Sequence, residues 1–287
     1  MRLRLERPAN SLIALVLLLA GCASEPAAEP LPRPSLSPGG EIPADTAGAL
    51  PLAAYRHDLD GERLVAEARD VLAAACMTRL GHPGWRPGPP PEPRPWESGM
   101  SIGLLDAGHA AAHGYRAPPD RRAAESRRMP EGERVAYLGA YPGEPAPDGV
   151  PDGGCAAEAD RAFGPPPDLG VVAELGAAAE EAVASDPRAV DALGAWSACM
   201  ATRGWEYAGP GEARFQYWPR TVTKVEKTLA SADVACKNET GLAGVWFGLL
   251  NGYQAALAAR EQTRLAVVET ALAAELQRAR AIVGERT

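Results

Sequence analysis

Five cysteines constrain the fold of this chain more than any other feature of its sequence. They are Cys22, Cys76, Cys155, Cys199 and Cys236. No two of them have the C-x-x-C spacing of a zinc site, so a metal centre would need ligands from distant parts of the chain. Cys22 stands apart, because it directly follows an apolar segment near the N-terminus. The chemistry of Cys22 therefore decides how many cysteines are left to pair with one another.

The N-terminal residues follow the order of an export signal. Three arginines in the first seven residues precede an apolar run over residues 12–19. The run leads directly into Leu19-Ala20-Gly21-Cys22. The run has the length of a signal-peptide core and is too short to span a bilayer. Its end matches the bacterial lipobox, and this resemblance implies that diacylglycerol is attached to Cys22 and that the chain is cleaved before it. We therefore expect residues 1–21 to be a lipoprotein signal peptide. The mature chain is expected at the cell membrane, lipid-anchored on the extracytoplasmic face.

The four remaining cysteines are an even number in an oxidising compartment, which predicts two disulfides with three possible connectivities. A partial internal sequence repeat, which we call the echo, favours one of the three connectivities. Ala75-Cys76-Met77 with a later Gly84-Trp85 is repeated as Ala198-Cys199-Met200 with Gly204-Trp205. Each copy lies at the end of a predicted helix and has one later cysteine. The echo favours the pairs Cys76–Cys155 and Cys199–Cys236.

The fold class predicted from the pattern of apolar residues is mainly α, with long irregular loops. Residues 22–52 are rich in proline and small residues and are predicted to be a disordered tether. Two halves follow, residues 53–170 and residues 171–287. Apolar spacing and helix-end signals predict helices over residues 62–80, 104–113, 156–163, 171–185, 187–202, 222–237 and 242–283. The last is expected to be one long helix, kinked near Gly248 or Gly252.

Charge argues against one class of partner. The formal net charge is −8, and an acidic surface repels phosphate backbones. We therefore expect no nucleic acid partner.

Several motifs resemble those of a group of uncharacterised secreted lipoproteins of actinobacteria. The matching pieces touch most of residues 70–285 and include the two Cys-Met segments. The others are LLD at 104–106 with HGY at 113–115, VPDGGC at 150–155, and ADVACK at 232–237 with Trp246 beyond it. The resemblance implies an exported, anchored, mainly helical protein with two disulfides. It implies no activity and no catalytic residues.

Two groups of residues are candidates for ligand binding. Asp106, His109 and His113 share one face of a predicted helix with metal-ligand spacing, but an exposed helical face is the alternative, and no metal or other cofactor is assigned. Aromatic side chains in a loop could stack on sugar rings, or could simply pack against the second disulfide and its helices. These aromatic residues are Trp205, Tyr207, Phe215, Tyr217 and Trp218.

The C-terminal helix carries apolar residues at near-heptad spacing. A forty-residue helix would be about 60 Å long, more than a small domain covers. It could bind a protein partner, or it could pack as the spine of the fold. The apolar positions are Leu265, Val268, Leu272, Leu276, Ala279 and Val283.

The sequence contains no nucleophile elbow, P-loop or dinucleotide-binding fingerprint. We assign no catalytic residue. The sequence therefore favours a non-enzymatic interaction or sensor-accessory protein of the cell envelope. The alternative is a glycan-binding module or hydrolase, whose catalytic carboxylates the sequence neither identifies nor excludes.

Overall fold

The computed structural model describes residues 30–36, 49–92, 102–117, 120–126, 128–141, 143–145 and 147–284, which form helices and loops with no strand among them. Residues 1–21 and Cys22 lie outside this part of the chain. The mainly α fold class is confirmed. A 3-10 helix spans Pro51–Tyr55, and the α-helices are α1 Leu59–Arg79, α2 Ala107–His113, α3 Arg121–Ser126, α4 Glu131–Leu138, α5 Gly154–Phe163, α6 Gly170–Ala184, α7 Pro187–Thr202, α8 Pro210–Phe215, α9 Lys224–Glu239, α10 Leu242–Arg260 and α11 Gln262–Gly284.

Capping residues explain why several helices begin where they do. Asp186 accepts a hydrogen bond from the Arg188 backbone N–H, and Pro187 occupies the first turn of α7, as the sequence predicts. Asp58 accepts from the Gly61 N–H at the start of α1. Thr223 accepts from the Glu226 N–H at the start of α9.

The predicted halves pack into each other. In the first half, α1 packs against α4 and α5, but it also packs along α11. Similarly, α2 packs on α9, and the 3-10 helix packs on α10. The main core lies between α6, α7, α9 and α10, and includes Val183, Trp196, Leu229 and Leu249.

The two disulfides have the predicted connectivity. Cys76 at the end of α1 is bonded to Cys155 at the start of α5, with Cα atoms 5.5 Å apart. Cys199 of α7 is bonded to Cys236 of α9, with Cα atoms 5.7 Å apart. The first bond belongs to a small core around Met77 and Trp85, and the second borders the main core. Each disulfide therefore joins helices within its own half.

The predicted single helix over residues 242–283 is two helices. α10 ends at Arg260, α11 begins at Gln262, and Glu261 between them leaves helical geometry with φ −104° and ψ 21°. The break allows α10 to pack on α6 and α7, whereas α11 packs along α1. The apolar stripe of α11 is consequently buried within the chain. Its residues Leu265, Val268 and Leu272 are 0%, 3% and 8% exposed.

Part of the predicted tether is packed on the domain. Residues 31–36, which we call the strap, have no regular secondary structure, and Leu31 and Leu36 lie against the main core. A Cβ atom at Gly252 would lie 2.3 Å from Pro34 Cβ, and one at Gly248 would lie 2.8 Å from Leu36. The two glycines expected to kink α10 instead form a notch for the strap. Arg188 Nη1 donates to the Pro34 carbonyl at 2.7 Å and holds it there.

Among the described residues, no helix combines the length and apolar character required to cross a bilayer.

Candidate functional site

A buried ion pair joins α9 to the segment before α2. Asp233 and Lys237 stand one turn apart with side chains 1% and 0% exposed, and Lys237 Nζ donates to the Asp233 carboxylate over 2.8 Å. Lys237 also donates to the Leu104 carbonyl oxygen at 2.9 Å. Trp196 Nε1 and the Tyr115 hydroxyl donate to Asp233 at 3.1 and 3.2 Å. Four hydrogen bonds thus converge on one buried pair.

The electrostatics of this pair follow from its burial. Removal from water raises the pKa of Asp233 and lowers that of Lys237, while each partner opposes the shift of the other. Burial, and then the neighbouring Asp233, also raise the pKa of Tyr115. Because both charged side chains are closed to solvent, the pair acts as a structural tie: it fixes residues 104–115 on α9.

A second buried carboxylate positions the aromatic loop, residues 205–220, near its end at Pro219 and Arg220. Glu226 is fully buried and accepts two hydrogen bonds of 3.1 Å from Arg116 Nε. The same guanidinium donates through Nη1 to the Arg220 carbonyl at 2.8 Å and through Nη2 to the Pro219 carbonyl. Arg116 therefore clamps this loop to α9. Gly114 permits the approach, since its φ is 64° and a Cβ there would lie 2.8 Å from Glu226 Cγ.

The structure does not bring Asp106, His109 and His113 together as a metal-binding group. Asp106 caps α2 by accepting from the His109 backbone N–H at 2.6 Å. His109 Nε2 lies 2.7 Å from the Arg116 carbonyl, to which it donates, and burial lowers the pKa of His109. The two imidazole rings are 5.0 Å apart. Within the described part of the chain, no group of three His, Cys, Asp or Glu side chains could hold a metal ion.

The five loop aromatics divide into two sets. The first set packs against the main core and is half-buried, as expected if these aromatics serve the fold and do not stack on sugars. It consists of Trp205, Tyr207 and Trp218. Phe215 and Tyr217 are 76% and 92% exposed. The structure therefore offers two exposed rings at this loop instead of a five-residue aromatic platform.

A polar contact between α11 and the residues just before α1 leaves no signal in the sequence. His57, just before α1, and Glu275 on α11 are 2.7 Å apart, with side chains 13% and 4% exposed. The residues are 218 positions apart, and neither lies in a recognisable motif. No local signal could have paired them.

A groove of about 650 Å³ lies between α1 and the proline-rich segment 83–90. Arg63, Glu67 and Asp70 line one side, and Trp85 and Arg86 line the other. The lining carries charges of both signs and therefore favours no ligand class.

Comparison with protein-family models, curated proteins and solved structures gives no significant match to this chain.

Proposed function

We propose that the mature chain is a lipoprotein anchored through Cys22 on the extracytoplasmic face of the cell membrane. There it acts as a non-enzymatic interaction or sensor-accessory protein of the cell envelope. The resemblance of several motifs to those of secreted actinobacterial lipoproteins agrees with this role. It assigns membrane contact to the lipid and protein contact to the exposed surface of the helical domain.

The observation that carries the proposal is the pairing of cysteines. All four cysteines after Cys22 are bonded in two disulfides, as suits a chain exported to an oxidising compartment. Cys22 is the one left over, and it is the cysteine that follows the apolar N-terminal run. An odd cysteine with its own chemistry fits lipid attachment.

The non-enzymatic part rests on what the buried charged groups do. Asp233 is held by Lys237, Glu226 by Arg116, and Glu275 by His57. Each of these carboxylates ties one segment to another and is closed to solvent. Their role is therefore the stability of the fold.

The C-terminal helix contributes to partner binding in a different way from the one its sequence predicts. Its apolar stripe packs within the chain, so a partner would meet the opposite face of α11, where Val267 is 69% exposed. Exposed apolar side chains elsewhere offer further contact points. They include Leu138 and Tyr141, which are 45% and 51% exposed.

Anchoring is tested by intact-mass analysis of the protein from the membrane fraction. We expect cleavage before Cys22 and the added mass of acyl chains on that cysteine, and Cys22→Ser should leave the chain uncut. An unmodified Cys22 on a membrane-associated chain would overturn the proposal.

The interaction role is tested by proximity labelling in living cells. A labelling enzyme fused after Thr287 would mark neighbours of the anchored chain. The matched control is the same fusion carried by a chain with an ordinary cleavable signal peptide and Cys22→Ser, which is exported without lipid. We expect envelope proteins enriched only with the anchored chain; identical labelling by both chains would contradict a membrane-localised role.

The second candidate function is glycan binding, which the exposed Phe215 and Tyr217 favour, since aromatic faces stack on sugar rings. Sedimentation with isolated cell-wall polymer would test it. Retention that Phe215→Ser and Tyr217→Ser together abolish would support this candidate, and no retention would exclude it.

A further inference from the structure

Exposed apolar side chains gather in one stretch of the chain. Of the large hydrophobic side chains that are exposed in the described residues, three fall between positions 215 and 225. Phe215, Tyr217 and Val225 are 76%, 92% and 56% exposed. Large apolar side chains that stay exposed within one short segment are typical of a surface that contacts something else. We call residues 214–227 the aromatic tip.

The aromatic tip is also locally basic. It contains four cations, and none of them forms an ion pair within the described part of the chain. Its only acid is Glu226, which is fully buried and paired with Arg116. The whole chain carries a formal net charge of −8, so the tip differs from the rest of the surface. The four cations are Arg214, Arg220, Lys224 and Lys227.

The backbone of the aromatic tip is held in place before any ligand arrives. Arg116 donates to the carbonyl oxygens of Pro219 and Arg220. Trp218 Nε1 donates to the Arg214 carbonyl at 3.2 Å, and its ring lies 6.0 Å from that of Tyr115. A surface fixed in this way loses little conformational entropy on binding.

We propose that the aromatic tip docks on the surface of an anionic phospholipid bilayer. Aromatic rings favour the headgroup level of a membrane, and arginine and lysine beside them pair with anionic lipid. Exposed rings beside cations that form no ion pair in the described part of the chain fit this occupant by charge, since the protein is otherwise acidic. The Arg214 guanidinium lies 5.2 Å from the centre of the Phe215 ring, so one cation and one ring form a single patch. The inference rests on the proposed anchoring only for bringing a bilayer close. Lipid on Cys22 and the tip would then be two separate membrane contacts.

The test uses the mature chain with Cys22→Ser, which carries no lipid. It is floated with vesicles of phosphatidylcholine alone, or with about 30 mol% phosphatidylglycerol. We expect binding to the anionic vesicles that declines as salt is added, and little binding to the neutral ones. Arg220→Gln with Lys224→Gln should weaken binding by about fivefold for each cation removed. Phe215→Ser with Tyr217→Ser should weaken it by roughly tenfold.

Matched controls separate the tip from the rest of the surface. Arg56→Gln with Arg280→Gln removes the same charge from exposed positions elsewhere, and Val190→Ser with Val267→Ser removes exposed apolar side chains elsewhere. We expect both control pairs to bind as the parent does. Circular dichroism confirms that each variant is folded.

Three results would overturn the inference: no flotation with anionic vesicles, equal binding to neutral vesicles, or equal losses in the control pairs. Retention on cell-wall polymer or on an acidic protein, with no vesicle binding, would assign the tip to that partner instead. A failure of lipid attachment would appear in the mass of the membrane-bound protein and leaves the vesicle result unaffected. The two proposals therefore fail separately.

Discussion

Lys237→Met removes one partner of the buried ion pair while preserving an unbranched side chain of similar length. The ammonium is 0% exposed and donates to Asp233 and to the Leu104 carbonyl. Breaking a buried pair on one side costs about 3–5 kcal/mol, because the remaining charge is buried without compensation. Trp196 and Tyr115 still donate to Asp233, which places the expected loss near the lower end, at about 3 kcal/mol.

The loss should depend on pH in a defined direction. Burial raises the pKa of Asp233, and Lys237 opposes that rise. Without Lys237 the pKa of Asp233 rises further, so the folded variant holds the proton more tightly than the unfolded chain does. The stabilisation from protonation is present at low pH and is lost as pH rises through the folded pKa. The deficit of the variant relative to the parent should therefore shrink toward acid pH, by at most about 1.4 kcal/mol per pH unit.

The assay is urea unfolding with intact disulfides, followed by far-ultraviolet circular dichroism. With a slope of about 3 kcal/mol per molar urea, the midpoint should fall by about 1 M at neutral pH. Lys224→Met is the matched control, because Lys224 lies on the same helix but is exposed. It should change stability by less than about 0.5 kcal/mol. Equal effects of the two substitutions, or a Lys237 deficit that does not vary with pH, would refute the assignment of a buried ion pair.

Three further predictions test other contacts. Asp186→Asn should lower the free energy of unfolding by about 1–3 kcal/mol at neutral pH, because Arg188 holds the pKa of Asp186 below its usual range. The stabilisation by the ionised carboxylate is present above its unfolded-state pKa and is lost as pH falls through its folded-state pKa, so the variant should lose less stability than the parent on acidification. Parallel profiles of stability against pH would contradict the pairing. Gly252→Ala should loosen the strap and speed proteolysis within residues 31–36, because the added Cβ would overlap Pro34. The control is Gly176→Ala, where a Cβ meets nothing within 4 Å; it should leave the strap protected and add up to about 1 kcal/mol of helix stability. Equal cleavage in both variants would argue against the notch. Replacing both cysteines of Cys76–Cys155 by serine should lower the free energy of unfolding by about 4.5 kcal/mol, and the same change at Cys199–Cys236 by about 3.8 kcal/mol. The first loss is larger because the bonds close loops of 79 and 37 residues. Calorimetry of each double variant checks the order, and the reverse order would contradict the chain-entropy argument.

Local signals in the sequence predicted most of the secondary structure. Asp186-Pro187 starts α7, and the glycines at 81 and 204 follow the ends of α1 and α7 with φ of 88° and 82°. The echo around Cys76 and Cys199 predicted the disulfide pairing because both cysteines lie near helix ends and each bond stays within one half. The helix boundaries depend on residues close together in the chain, and the disulfide pairing on a pattern that the sequence repeats.

Features that depend on distant residues were not predictable in the same way. The sequence between residues 242 and 283 has continuous helical character, and only the competing surfaces of α6, α7 and α1 explain the break at Glu261. Short α3 and α4 escaped prediction, since residues 117–153 show no clear apolar period. Asp233 and Lys237 have ordinary i, i+4 spacing, which usually indicates an exposed pair, and only the position of Leu104 and Tyr115 explains their burial.

The exposure of the rings in the aromatic loop also depends on a residue that is distant in the chain. The composition of the loop is compatible with rings exposed for stacking on sugars and with rings packed against the core. The outcome depends on Arg116, about a hundred residues earlier, whose contacts reach Pro219 and Arg220. The capping role of Asp106 could have been foreseen, since an aspartate before a helix commonly accepts from a backbone N–H.

The strap changes how far the domain can travel from its proposed anchor. A free tether over residues 22–52 would allow a reach of about 100 Å when fully extended. With Leu31 and Leu36 packed on the main core, only eight residues separate Cys22 from the strap, and their full extension is about 30 Å. On the proposed anchoring, the domain would work beside the bilayer, not deep in the cell wall. Gly248 and Gly252, which permit the strap to pack, would thereby set the working distance of the protein.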